Sequence, residues 1–167
     1  PTLKAAEGRM QKAATLKNGA QIFIDFAHTP DALTNVLQLA RKISDKNHGA
    51  RAIVMFGCGG NRDAKKRPLM GEIASKLADY VVVTDDNPRL ENPSAIRSEI
   101  LAACDKTKTV EISDRKAAIV AAIDLLQEND VLVLAGKGHE KYQEIKGVKN
   151  HFDDKEILSQ LFKELEK

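Results

Sequence analysis

The chain is short of cysteine, of excess charge and of long apolar runs, and each shortage removes a class of protein. Its two cysteines, Cys58 and Cys104, stand far apart and match no zinc or redox spacing. A reducing compartment, the cytoplasm, is the expected location. Lysine plus arginine number 26 and aspartate plus glutamate 24, a formal net charge of +2, so neither nucleic acid nor an anionic membrane is an expected partner. No apolar stretch nears the roughly 20 residues needed to span a bilayer, and no signal peptide is visible. There is no Ser-His-Asp order, no paired-carboxylate pattern, no His/Cys metal cluster and no internal repeat.

What is present suits one globular domain: 167 residues, 43% hydrophobic and 30% charged. Residues 1–12, opening on Pro1, lack a clear period and are expected to be the tail of an interdomain linker. Residues 13–167 are then one domain of a longer chain.

Short apolar, β-branched runs alternate with helical periodicity. Gln21–Phe26, Ala52–Phe56, Tyr80–Thr84, Thr109–Ile112 and Val131–Leu134 are expected strands. Thr29 before Pro30 and Asn92 before Pro93 have the form of a cap followed by a first-turn proline. The helix after Pro30 is expected to bury Ala32, Val36, Leu39, Ala40 and Ile43, and another runs from about Arg67 to Ala78. Ile96, Ile100 and Leu101 form the apolar face after Pro93, and Ala118, Ile119, Ala122, Ile123 and Leu126 that of a helix capped by Ser113 or Asp114. Tyr142–Ile145 and Val148–Phe152 flank Lys146-Gly147 as a hairpin, and Asp153 with Glu156 has capping-box spacing before a last helix. The predicted fold class is α/β: a Rossmann-like doubly wound, mainly parallel sheet with a C-terminal β-hairpin and a final helix.

In such a sheet the loops after strands gather at one edge, where ligands bind. Four of them carry chemistry here: His28–Asp31, Gly57–Asp63, Asp85–Arg89 and Gly136–Glu140. Pro88 fixes its own φ and drives Asn87 extended, which stiffens Asp85-Asp86-Asn87-Pro88-Arg89. Two carboxylates, a carboxamide and a guanidinium on a stiff loop suit a molecule carrying both an amine and a carboxylate. Gly57-Cys58-Gly59-Gly60 permits close approach of backbone to a ligand, yet it is neither a Walker A loop nor a dinucleotide fingerprint. With Asn61, Arg62, Lys65, Lys66 and Arg67 directly after it, an anion site is expected. Gly136-Lys137-Gly138-His139-Glu140 adds a cation, an imidazole and a carboxylate, although a lone histidine is more often structural. The residues alone lead to a ligand-binding domain with a charged cleft for a small zwitterion or anion.

Taken together, Asp25-Phe26-Ala27-His28-Thr29-Pro30-Asp31, Gly57-Cys58-Gly59-Gly60-Asn61-Arg62-Asp63, Lys66-Arg67-Pro68, Asp86-Asn87-Pro88-Arg89 and Gly136-Lys137-Gly138-His139-Glu140 resemble the C-terminal domain of the Mur ligases. Within that family the resemblance is to the branch that adds the third residue of the peptidoglycan stem. It implies a cytoplasmic, cell-wall-building enzyme in which an N-terminal domain binds a UDP-sugar and a central domain binds ATP and Mg2+. The C-terminal domain brings the incoming amino acid, and by itself is expected to be inactive, with no catalytic and no metal-binding residue.

The Asp-Asn-Pro-Arg motif implies meso-diaminopimelate, in place of lysine, as that amino acid, and UDP-N-acetylmuramoyl-dipeptide as the acceptor. By the same resemblance Arg89 and Arg62 hold the far carboxylate, Asp86 and Asn87 lie beside it, and Gly136 and Glu140 hold the far amine. Arg9 and His28 fall at positions that touch the nucleotide. Three positions depart from the family pattern: Phe26 for tyrosine, Asn61 for aspartate, and Glu7 for the proline before Gly-Arg. Two other readings are a lysine-adding member of the family and a non-catalytic nucleotide- or anion-binding module.

Overall fold

A computed structural model describes residues 9–165. In chain order the elements are β1 (Gln11–Thr15), β2 (Gln21–Asp25), α1 (Pro30–Ser44), β3 (Ala52–Phe56), α2 (Lys66–Leu77), β4 (Tyr80–Val83), α3 (Pro93–Leu101), β5 (Thr109–Glu111), α4 (Arg115–Asp124), β6 (Val131–Ala135), β7 (Tyr142–Ile145), β8 (Val148–His151) and α5 (Asp154–Leu165). Six strands form one sheet in the order β1-β2-β6-β3-β4-β5, and β7 pairs with β8 as a separate hairpin. Strands β2, β6, β3, β4 and β5 run parallel, while β1 pairs antiparallel with β2 at the edge.

The strand pleat sends successive side chains to opposite faces. Phe23, Val54, Val81 and Val133 pack with Leu33, Val36, Leu37, Met70, Ala74, Ile96 and Ile100, so α1, α2 and α3 cover one face. Ile22, Ile24, Ile53, Met55, Val82, Leu132 and Leu134 pack with Ala118, Ile119, Ala122, Ile157 and Leu158, so α4 and α5 cover the other. Burial on both faces explains why these strands are continuous apolar runs without polar alternation. The α/β expectation holds, as does the hairpin, whose Lys146 (φ +51°) and Gly147 (φ +77°) both take the left-handed conformation of a tight turn.

The proline-led helix starts form as expected. Thr29 Oγ1 accepts from the Ala32 amide at 3.2 Å, Asn92 Oδ1 from the Ser94 amide at 2.8 Å, and Asp114 Oδ1 from the Ala117 amide at 2.8 Å. At α5 only half of the capping box closes: Asp153 Oδ1 accepts from the Glu156 amide at 3.4 Å, while the Glu156 carboxylate lies 2.8 Å from His151 Nε2.

Two expectations differ from the structure. Strand β1 was not anticipated, and its first residues, Gln11 and Lys12, belong to the stretch read as linker; residues 1–8 lie outside the described residues. A register shift between Lys12 and Ala14 removes the period-two pattern that would have marked it. Leu39, assigned to the buried face of α1, is 47% exposed, because Leu33 and Leu37 fill that face instead.

Candidate active-site cleft

The carboxyl ends of β2, β6, β3 and β4 lie side by side, and the helices that follow β3 and β6 leave on opposite faces of the sheet. A crevice opens where adjacent strands send their connections to opposite sides. Here it is a cleft of about 250 Å³ whose walls include Arg62, Asp86, Asn87, Arg89, Gly136 and Glu140, with His28 and Lys66 at the same rim. Every substrate-site residue expected from the sequence therefore meets the others. An adjoining cleft of about 450 Å³ shares Phe26 and His28 and is walled by Arg9, Met10, Val36 and Leu39.

The loop after β4 carries the motif, and three partners hold its shape. Toward the glycine loop, the Gly60 amide donates to Asn87 O at 2.8 Å, and Arg89 Nη1 donates to Gly60 O at 3.0 Å. A Cβ on Gly60 would collide with the Pro88 carbonyl, so only glycine permits this approach. Asn61 sits at φ +53°, a conformation asparagine tolerates, and its Oδ1 accepts from the Leu90 amide at 3.0 Å. An aspartate there would accept the same bond.

Toward the hairpin, the contacts run residue by residue. Gln143 Nε2 donates to Asp86 O at 2.8 Å, the Glu144 amide to Asn87 Oδ1 at 3.0 Å, and the Arg89 amide to Glu144 O at 3.0 Å. Arg89 Nε then pairs with the Glu144 carboxylate at 3.0 Å. Arg89 itself holds φ +53°. A non-glycine residue accepts that conformation only where the surroundings over-determine it.

From beneath, Lys137 Nζ donates to Asn87 Oδ1 at 2.9 Å and to Tyr142 O at 2.7 Å, with Asp86 at 3.9 Å and Glu140 at 4.0 Å. Gly136 turns at φ +114°, where a Cβ would press on Asp86 Oδ2.

The rim mixes signs. Burial raises the pKa of the Glu140 carboxyl above its ordinary range, opposed by the Lys137 ammonium and more weakly by Arg89. Burial lowers the Lys137 ammonium, against the pull of Asp86 and Glu140. Cys58 lines the cleft, but burial pushes its thiol up to about 12, so it stays protonated and is no nucleophile near neutrality. Beside the adjoining cleft, His28 Nδ1 lies 2.8 Å from Phe26 O, and Lys66 Nζ donates to His28 O at 2.7 Å. Asp25 links the chain start to this edge by accepting from the Met10 and Ala27 amides, each at 2.7 Å.

Arg67 corrects the expected anion cluster. It is buried, and its guanidinium is used internally by Glu91 at 3.0 Å, Glu99 at 3.1 Å and Gly59 O at 3.0 Å. Arg62 and Lys66 remain at the cleft, and Lys65 is exposed outside it. His139 faces a different, smaller cavity with Lys141 and Asp153. Sequence reasoning missed Lys137, Gln143 and Glu144 as supports of the motif; a lysine flanked by glycines was the one available signal.

Comparison with known proteins agrees with this architecture. The Mur ligase, glutamate ligase domain matches residues 8–138. The UDP-N-acetylmuramoyl-L-alanyl-D-glutamate–2,6-diaminopimelate ligase of Chelativorans sp. (strain BNC1) is 52% identical over 162 residues, 97% of this chain and 32% of that protein. The ligase of the same name from Rickettsia bellii (strain RML369-C) is 51% identical, over 96% of this chain and 32% of its own length. A solved structure of a ligase of that name superposes with a TM-score of 0.85 at 39% identity, covering 99% of this chain and 33% of that one. The chain thus spans about a third of the length of the relatives it matches. The chain belongs to the Mur ligase family, as its glutamate ligase domain.

Proposed function

We propose that this domain binds the incoming amino acid in an ATP-dependent ligase joining meso-diaminopimelate to UDP-N-acetylmuramoyl-L-alanyl-D-glutamate. In this reading ATP phosphorylates the D-glutamyl carboxylate, the amino acid's amine attacks the acyl phosphate, and phosphate leaves. The domain's contribution is to position that amine and to close over the nucleotide. The observation that carries the reading is the convergence of Arg62, Asp86, Asn87, Arg89, Gly136 and Glu140 on one cleft. Arg89 and Arg62 supply guanidinium donors for the far carboxylate, the group that distinguishes diaminopimelate from lysine. Glu140 and the Gly136 turn supply acceptors for the far amine.

Arg9 and His28 face the adjoining cleft, whose apolar wall and single cation suit part of a nucleotide. Among the described residues no group of three or more His, Cys, Asp or Glu side chains could hold a metal ion, so Mg2+ is assigned to no residue here. Magnesium and most phosphate contacts would come from the central domain, and the cytoplasm is where such a reaction would run. No helix of the described residues is long and apolar enough to cross a membrane.

Titrating the chain with meso-diaminopimelate and with L-lysine tests the reading. Selective uptake of diaminopimelate is expected, and equal weak responses to both amino acids would remove its support.

A further inference from the structure

Lys137 is the one fully buried lysine among the described residues, with 0% exposure, and it lies under the cleft without reaching it. Burying an ammonium is costly, and an apolar side chain of similar length would fill the space at less cost. Its neighbours suggest what the charge is for. Asn87 Oδ1 accepts from Lys137 Nζ at 2.9 Å and from the Glu144 amide at 3.0 Å. Both partners can only donate, so the orientation of the carboxamide is decided. Asn87 Nδ2 is then the end turned toward Glu140 Oε1, 3.5 Å away in the cleft wall.

The charges facing Lys137 are Asp86, Glu140, Arg115 and Asp154. Arg115 and Asp154 satisfy one another as a fully buried pair at 2.8 Å. That leaves Lys137 to balance Asp86 and Glu140.

We propose that Lys137 is a positioning residue for amino-acid recognition: from beneath the cleft it presents Asn87 Nδ2 as a donor to the ligand's carboxylate and sets its own charge 4.0 Å from Glu140, the acceptor for the ligand's ammonium. The inference rests on the functional reading above. It makes two groups of opposite hydrogen-bonding character out of one buried charge. The Lys137 ammonium is also the strongest influence opposing the upward shift that burial imposes on Glu140. Without it the acceptor would protonate more readily, and the Asn87 carboxamide would be held in place by the Glu144 amide alone.

The chain as it stands serves for the test. Lys137→Met should weaken meso-diaminopimelate binding roughly 10- to 100-fold in isothermal titration, the loss expected when a charge-assisted contact goes. Circular dichroism reports whether that variant is folded. If it is not, the unsubstituted chain decides the matter. With 15N-labelled lysine, Lys137 Nζ should give a solvent-protected ammonium resonance that moves when meso-diaminopimelate is added, a response a merely structural lysine would not make.

Folded Lys137→Met that binds within about twofold of the unsubstituted chain overturns the inference, as does a Lys137 resonance unmoved at saturation. Failure of the unsubstituted chain to take up diaminopimelate at all removes the functional reading and this inference together. That result is distinguishable from normal uptake by an unaffected variant.

Discussion

Arg89→Ala separates recognition of the ligand from the integrity of the loop. Arg89 Nε is committed to Glu144 at 3.0 Å and Nη1 to Gly60 O at 3.0 Å. A guanidinium has five N–H donors, so both Nη2 hydrogens and one on Nη1 remain for a ligand carboxylate. Losing such a charge-assisted contact costs about 2–3 kcal/mol, which corresponds to about 30- to 150-fold in affinity. Isothermal titration should show that loss for meso-diaminopimelate. L-lysine, lacking the far carboxylate, should change little or bind slightly better, because a desolvated cation without a partner has gone.

The stability effect should be separable from the affinity effect. The Arg89–Glu144 pair is 19% and 22% exposed, so its loss removes about 1 kcal/mol or less in urea unfolding. Position 89 sits at φ +53°, where alanine keeps the left-handed strain and glycine relieves about 1 kcal/mol of it. Arg89→Gly should therefore be more stable than Arg89→Ala, yet lose the same affinity. If affinity follows stability across the two variants, or if lysine and diaminopimelate weaken equally, the guanidinium is not reading the far carboxylate.

The buried Arg115–Asp154 pair, both side chains 0% exposed, should be costly to break singly: Arg115→Met is expected to lose about 3–5 kcal/mol in urea unfolding, with much of it recovered in Arg115→Met/Asp154→Leu. Glu140 gives a pH signature. Its folded pKa is raised by burial, so the folded chain binds more protons than the unfolded one above the ordinary glutamate range, and stability falls as pH rises through that window. Urea unfolding across pH 4–7, compared with Glu140→Gln, should show the variant with the flatter profile; identical profiles would count against a strained carboxylate. Supplied with ATP, Mg2+, meso-diaminopimelate and the UDP-linked dipeptide, the chain alone should form no product in a phosphate-release assay, and any turnover contradicts the proposed division of labour.

Elements whose local chemistry and tertiary role agree were legible from residues alone. The strands that carry Ile53, Val82 and Leu132 are buried on both faces, and the proline-led caps at Thr29 and Asn92 need no distant partner. The residues of the main cleft were legible because each lies in a loop that follows a strand, and a parallel sheet places such loops together. What stayed hidden depends on contacts distant in sequence. Arg67 looks like its neighbours Lys65 and Lys66, and only the approach of Glu91 and Glu99 takes it inside. Leu39 continues a helical period, but Leu33, Leu37 and Ala40, not Leu39, meet the sheet. Strand β1 has a broken register and half-buried residues, so its pairing with β2 leaves little trace in composition.

The same distinction bears on what holds the motif in shape. The Asp86–Arg89 motif does not hold its own shape: Gln143, Glu144 and the Lys146 amide bond to Asp86, Asn87 and Arg89, the last at 2.7 Å to Arg89 O. Those supports lie beyond residue 138, where the match to the family's domain stops, but within the span shared with the relatives named for diaminopimelate. Loop and hairpin therefore act as one unit, since a displaced β7 would move the Asn87 carboxamide and the Arg89 guanidinium together. An Asp-Asn-Pro-Arg motif grafted without its hairpin should lose the left-handed Arg89 and, with it, the arginine's aim. The four residues are the visible part of a cleft wall whose rigidity comes from a strand some sixty positions later.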